Sequence, residues 1–72
     1  MNWNIVEGTW KEFQGNVKEY WGKLNDSEID AIAGKRIHLA GKIQETYGVN
    51  LDEAERQIKI FEERHKHYRP NN

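Results

Sequence analysis

Four side chains near the C-terminus are of the types that bind metal ions or transfer protons: Glu62, Glu63, His65 and His67. Glu62 and His65 are three residues apart, the ligand spacing used in helical di-iron bundles, but such sites need a second pair and two further carboxylates. No second pair exists in the sequence, and His65 and His67 diverge on a helix because they are two residues apart. The pattern favours a polar helix end, where cations suit the C-terminus.

The other residues that could do chemistry stand alone. His38 has no sequence-adjacent partner for acid–base work, and Ser27, the only serine, is typical of a first helical turn. The glycines are spaced rather than clustered, so they form no phosphate-binding loop. The absence of cysteine excludes thiolate catalysis, disulfides and Cys-based zinc sites. We therefore predict no catalytic residue, no cofactor-binding residue, no metal ligand and no cofactor, and we expect a protein that is not an enzyme.

Basic residues near tryptophans could bind single-stranded nucleic acid, whose bases stack on aromatic rings. The candidates are Lys11, Lys18, Lys35, Arg36 and Lys42. Acidic residues are interleaved among them, and the chain has 11 basic and 12 acidic residues, a net charge of −1. Proteins that bind nucleic acid through phosphates usually have a basic excess. The charge balance argues against a nucleic acid partner and favours solvated helix faces with ion pairs.

Helical periodicity predicts the elements that carry these residues. We predict a helix over 4–21, whose apolar stripe is Val6, Trp10, Phe13, Val17, Tyr20 and Leu24. Helices over 26–33 and 35–47 follow, and a last helix covers 51–66 with the stripe Leu51, Ala54, Ile58, Phe61, His65 and Tyr68. No strand pattern competes, so the fold class is all-α. We expect one shared core that contains Trp10, Phe13, Val17, Ile43, Ile58 and Phe61.

Asparagines mark the helix starts. Asn25 and Asn50 are each followed by a glutamate three residues later and by an acidic first turn, as in a capping box. The first helix begins at Asn2 or Asn4, with Glu7 three residues after Asn4. We expect one domain over 1–67 and a frayed tail over 68–72.

Six glycines fall on a spacing of seven in two sets offset by 26: Gly8, Gly15, Gly22 and Gly34, Gly41, Gly48. The same offset matches Phe13 with Leu39 and Val17 with Ile43. The repeat predicts a small bundle of about four helices, built from two pseudo-repeated helical hairpins packed on each other.

The glycine spacing has three interpretations. The glycines could allow close helix packing within the monomer, form a helix whose order depends on water activity or a partner, or form a face for weak self-association. A glycine at an exposed helix position costs about 1 kcal/mol relative to alanine. We favour close backbone approach at Gly41 and exposure at Gly8.

Four ordered motifs extend over about residues 1–62: Glu7-Gly8-Thr9-Trp10-Lys11-Glu12-Phe13-Gln14-Gly15, Lys18-Glu19-Tyr20-Trp21-Gly22-Lys23-Leu24, Ala33-Gly34-Lys35-Arg36 and Leu39-Ala40-Gly41-Lys42-Ile43-Gln44-Glu45-Thr46-Tyr47-Gly48. Together they resemble the CsbD-like family of small bacterial stress proteins. The resemblance implies a compact bundle of about four helices and a cytoplasmic protein made in quantity under general stress. It implies no known catalytic residue and no known ligand.

The expected function is therefore that of a non-enzymatic stress-response protein that acts by contacts or by bulk protective properties. The alternative is a binding module for nucleic acid or for a protein partner. The partner is unknown from sequence, and neither a membrane span nor a signal peptide is predicted, so we expect a soluble, cytoplasmic protein. A one-sided basic or aromatic patch would favour the binding module, whereas an evenly mixed surface would favour the bulk role.

Overall fold

The computed structural model describes residues 1–70, and within them it contains five α-helices and no strand. The helices are α1 (Trp3–Gly8), α2 (Trp10–Tyr20), α3 (Asp26–Ile32), α4 (Arg36–Tyr47) and α5 (Leu51–Arg64). Helix α2 packs against α3 and α4 against α5, and α3 joins the two hairpins by packing against α4. The prediction of a small all-α bundle is confirmed.

The long first helix of the prediction is wrong in one respect, because it is broken at Thr9. The Thr9 backbone leaves the helical region, with φ −122° and ψ 32°. Its hydroxyl donates to the carbonyl of Ile5, at 2.8 Å, a local bond by which threonine competes with the helical backbone. The start of α1 is capped by Asn2, whose side chain accepts from the Asn4 and Ile5 amides. The break at Thr9 therefore separates α1 from α2.

Both predicted internal N-caps are confirmed. The Asn25 side chain accepts from the Glu28 amide and the Glu28 side chain accepts from the Asn25 amide, which completes a capping box. The Asn50 side chain accepts from the Glu53 amide at 2.9 Å. The Glu53 carboxylate instead binds Arg56, so the start of α5 has only one of the two hydrogen bonds of a capping box.

The core contains all six residues that the stripes placed there. Phe13 of α2 and Phe61 of α5 meet edge to face, with ring centroids 5.8 Å apart, which ties the first hairpin to the second. Trp21 joins them and is only 2% exposed. Leu51 departs from the predicted stripe: it is 51% exposed because it is the first residue of α5, at the end of the bundle.

The hairpins are connected by a turn in which Ala33 and Gly34 both have positive φ, 53° and 74°. A Cβ atom on Gly34 would meet the backbone of Glu7, so this glycine allows close approach. The expectation of close approach at Gly41 is wrong, because nothing lies within 4 Å of a Cβ atom built there. The space around Gly8 and Gly15 is equally open.

Part of the predicted tail contacts the bundle. The Tyr68 ring lies edge-on to Phe13, with centroids 4.7 Å apart, and its hydroxyl is 3.0 Å from the Thr9 hydroxyl. Residues 71 and 72, which the predicted tail includes, lie outside the described residues.

Candidate functional site

The three tryptophans, which were candidates for stacking on bases, have their indole N–H groups bonded within the protein. The acceptors are the Glu62 carboxylate for Trp3 at 2.7 Å, the Ile29 carbonyl for Trp10 at 3.0 Å and the Gln57 side chain for Trp21 at 2.9 Å. Trp10 and Trp21 are buried, at 8% and 2% exposed. These two rings therefore serve as core packing rather than as a stacking surface.

Three of the five candidate cations form ion pairs with carboxylates. Lys35 binds Glu7, which links α1 to the start of α4. The Lys42 Nζ atom lies 3.5 Å from Glu45, one helical turn further along α4. Arg36 binds two carboxylates of α5, those of Glu55 and Glu62, and 30% of its side chain is exposed.

The other two cations lie beside acidic residues in the groove between α2 and α3. Lys11 and Lys18 line this groove of about 440 Å³ together with Asp26 and Asp30. The Lys18 ammonium donates to the Leu24 carbonyl at 2.6 Å, which fastens the end of α2 to the following turn. The groove therefore carries both signs of charge, and the five cations do not form a continuous basic patch.

Arg36 is the centre of a polar cluster that joins three helices. Its Nε atom donates to Glu62 Oε2 at 2.9 Å, and its Nη1 atom lies 2.8 Å from Glu55 Oε1. The Trp3 indole of α1 donates to the same Glu62 oxygen. We call Trp3, Arg36, Glu55 and Glu62 the Arg36 cluster.

The cluster holds its charges in place. Partial burial raises the pKa of Glu62, but the hydrogen bonds from Arg36 and Trp3 and the charges of Arg36 and Lys59 outweigh it and lower that pKa below its usual range. Burial lowers the pKa of Arg36, and its bonds to Glu62 and Glu55 outweigh this and raise it. A carboxylate held in this way is a structural anion, because its proton affinity is reduced and its Oε2 atom accepts two hydrogen bonds.

The four C-terminal residues of metal-binding type, Glu62, Glu63, His65 and His67, are not brought together. Glu62 belongs to the Arg36 cluster, and Glu63 binds Lys66 at 3.0 Å on the exposed face of α5. The His65 ring packs against Phe61, with centroids 4.5 Å apart, and His67 is exposed. Within residues 1–70, no three His, Cys, Asp or Glu side chains are grouped as metal ligands would be.

His38 and Ser27, the other two residues that could do chemistry, lie on different helices. His38 is exposed on α4, where it lines a shallow groove with Ala31, Ile37 and Gly41. Ile37 is 78% exposed and is the most exposed large apolar side chain of the described residues. Ser27 lies in the first turn of α3, as expected, and is exposed.

Sequence reasoning missed the Arg36 cluster. Arg36 and Glu62 are 26 residues apart, and Trp3 and Glu62 are 59 residues apart, so no local spacing connects them. Arg36 was considered only as a nucleic acid contact and Glu62 only as a metal ligand, and neither interpretation was favoured. Only the packing of α1, α4 and α5 shows that they serve one cluster.

Comparison with known proteins gives the family. The model of the CsbD-like family matches residues 4–56, which include α1 except Trp3, the whole of α2 to α4 and the start of α5. The chain belongs to the CsbD-like family. The match confirms the resemblance that the sequence motifs indicated, and it includes Trp10, Trp21 and Gly34. Phe61, Glu62 and His65 lie beyond the matched region.

Individual relatives are bacterial proteins designated UPF0337. One from Nitrosomonas europaea is 54% identical over 61 residues, which cover 85% of this chain and 65% of that protein. YjbJ of Escherichia coli O6:H1 is 51% identical over 65 residues, covering 90% of this chain and 94% of the relative. YjbJ of Escherichia coli K12 is 48% identical over 67 residues, covering 93% and 97%. The chain thus spans less than two thirds of the Nitrosomonas protein but nearly all of YjbJ.

No helix among the described residues of this CsbD-like protein has the length and apolar character needed to cross a bilayer.

Proposed function

We propose that this CsbD-like protein is a non-enzymatic, cytoplasmic stress-response protein that acts through non-specific contacts or the bulk properties of its surface. The observation that carries the proposal is the mixed and self-paired charge of that surface. Lys35, Lys42 and Lys66 each bind a glutamate, and the α2–α3 groove holds both lysines and aspartates. The resemblance of the sequence motifs to the CsbD-like stress proteins supports the stress role, and the paired surface charges support the mode of action.

Such a surface stays hydrated without attracting one class of charged partner. Exposed ion pairs each contribute only about 0–1 kcal/mol, so these pairs add little to the global stability of the fold. The two members of each pair cancel one another's field, since the cation lies within 4 Å of its carboxylate. A polyanion is steered by the summed field of a basic patch, and pairing removes that field.

The nucleic acid alternative has less support, for two reasons. Trp10 and Trp21 are buried and their indole N–H groups are bonded, which removes them as stacking platforms. Of the five candidate cations, three are paired with glutamates and two line a groove with aspartates. A protein that binds single strands needs the opposite arrangement, with exposed rings and unneutralised cations along one groove.

A charge-swap experiment separates bulk action from recognition by a specific surface. Lys42→Glu with Glu45→Lys, and Glu63→Lys with Lys66→Glu, exchange the members of two exposed pairs without changing the net charge or the pairing. Survival of a deletion strain under osmotic, acid and stationary-phase stress is measured after complementation with the parent or with the swapped chain. The proposal expects equal protection by both.

The control is Phe61→Ala, which removes a core ring and should abolish protection if the fold is required. Protection that is lost in the swapped chain, while its circular dichroism and melting curve match the parent, would contradict the proposal. Crosslinking in stressed and unstressed cells adds an independent readout. One stoichiometric partner that is captured by the parent and lost from the swapped chain would establish the binding module instead.

A further inference from the structure

Helix α1 is weakly anchored by apolar burial. It has six residues, and Val6 is its one fully buried side chain. Trp3 and Met1 are only partly buried against the core. A helix of this length is not stable by itself in water, so its order depends on what it contacts. Segments with few buried apolar contacts open before the rest of a protein unfolds.

Polar links fasten α1 to the second hairpin and to the C-terminal turn. The Trp3 indole donates to Glu62 of α5, and Glu7 binds Lys35 next to the start of α4. The terminal ammonium of Met1 donates to the Lys66 carbonyl at 2.7 Å. Thr9, which ends α1, shares a hydrogen bond with the Tyr68 hydroxyl. These links therefore hold both ends of the segment to α5, to the start of α4 and to the turn after α5.

Charge contributes to three of these links. The Glu7–Lys35 pair is an ion pair with 41% and 50% of the two side chains exposed, so salt screens it. The Trp3 bond is strengthened by the charge of Glu62, whose surroundings are Arg36 on α4 and Glu55 and Lys59 on α5. The Met1 link uses a charged ammonium. Arg36 also binds Glu55, so the contact between α4 and α5 does not depend on α1.

We propose that α1 is a strap that high ionic strength or acid releases while the two hairpins remain folded. Salt acts by screening the Glu7–Lys35 pair, and acid acts by neutralising Glu62, which removes the charge from the acceptor of the Trp3 indole. Release uncovers the apolar surface on which Val6 and Trp3 pack. This release deepens the proposed function and rests on it, because the surface that the stress exposes would be the one that makes the protective contacts.

Amide hydrogen exchange, followed by NMR, tests the strap. The amides of Val6 and Thr9 report α1, because they bond to the Asn2 and Ile5 carbonyls, and the amides of Ile43 and Ile58 report the hairpins. Between 0.05 and 0.5 M NaCl the protection of the α1 amides should fall about twofold, the effect of weakening one exposed ion pair. The hairpin amides should keep their protection. Three results would overturn the strap: equal protection of the two groups of amides at low salt, an equal loss of protection in both groups at high salt, or no loss in either group.

The indole N–H signals add a second readout within the same sample. Of the three acceptors, only the Glu62 carboxylate can be protonated, so only the Trp3 signal should shift on acidification. Glu62→Gln should remove that shift and lower the α1 protection at neutral pH. An unshifted Trp3 signal in the parent would show that the bond to Glu62 does not hold α1.

Glu53→Gln is the matched control. Glu53 is also a paired carboxylate on α5, bound by Arg56 and Gln57, and its pKa is lowered to about 2, but none of its recorded bonds reaches α1. This variant should leave the α1 protection and its salt dependence unchanged. These readouts use purified protein alone. A failed strap would therefore leave the proposed function standing, whereas a failed charge-swap experiment would leave the strap standing.

Discussion

Gly34 lies against the backbone of Glu7 so closely that a Cβ atom built on the glycine would be 2.5 Å from the Glu7 Cα atom. The contact places the turn between the hairpins directly beside α1. It also explains why a glycine is required at this position, since its φ of 74° is in the left-handed region as well.

Gly34→Ala should therefore destabilise the protein by about 2–4 kcal/mol, the sum of left-handed backbone strain and a backbone clash. Chemical denaturation monitored by circular dichroism measures the loss. Gly48→Ala is the control, because Gly48 has φ 66° with nothing within 4 Å of its Cβ position. It should lose only about 1–2 kcal/mol, from the strain alone. Equal losses for the two variants would show that the contact with Glu7 is not tight.

Gly15→Ala and Gly41→Ala should each stabilise the protein by about 1 kcal/mol, since both glycines are helical and have open space around them. The double variant should gain about 2 kcal/mol if the sites are independent. Thermal melts give the sign directly. A lower melting temperature for either variant would mean that a methyl group meets a neighbour there.

The same double variant tests whether conditional order matters in cells. The open glycines weaken α2 and α4 without a packing reason, which is the structural basis of the conditional-order interpretation. If a stabilised chain protects stressed cells less than the parent does, that interpretation is supported. Equal protection would remove it.

Phe61→Ala should cost about 3–5 kcal/mol, because the ring is fully buried and contacts Phe13, Tyr20 and Trp21. A loss of this size is comparable with the total stability expected of a small domain. Leu51→Ala serves as the comparison, because that side chain is half exposed and should change stability by less than about 1 kcal/mol. Urea titration of both variants decides whether the packing of α5 is as described.

Stability should fall as the pH is lowered through the range below 6.5. Burial against Phe13 and Phe61 lowers the pKa of His65, with Glu19 opposing the effect and Arg64 adding to it. The unfolded chain then binds more protons than the folded chain below the ordinary value of 6.5, so acid favours unfolding until the folded-state pKa is passed.

The measurement is the urea midpoint at several pH values between 5 and 8 for the parent and for His65→Gln. The variant should lose this part of the pH dependence. His38→Gln is the control, since His38 is exposed on α4, and it should keep the parent's profile. A parent midpoint that rises on acidification in this range would reverse the predicted sign.

The sequence alone determined the features that depend on neighbours along the chain. Apolar residues every three or four positions predict helices, and an asparagine followed by a glutamate three residues later predicts a cap. These signals act within one or two turns, so Asn25, Asn50 and the Phe13–Phe61 core were predictable. The family resemblance was equally a property of local motifs.

The tertiary structure decided whatever depends on which elements meet. Glu62 had the local signature of a metal ligand, and it became the partner of Arg36 and Trp3 only when α1, α4 and α5 packed together. Periodicity placed Leu51 and Phe61 in the same apolar stripe, but Leu51 is exposed because it begins α5 at the end of the bundle. Gly34 and Gly41 stand at equivalent places in the seven-residue spacing. Only one of them has another backbone against it, because the distance between segments far apart in sequence is set by packing and not by spacing.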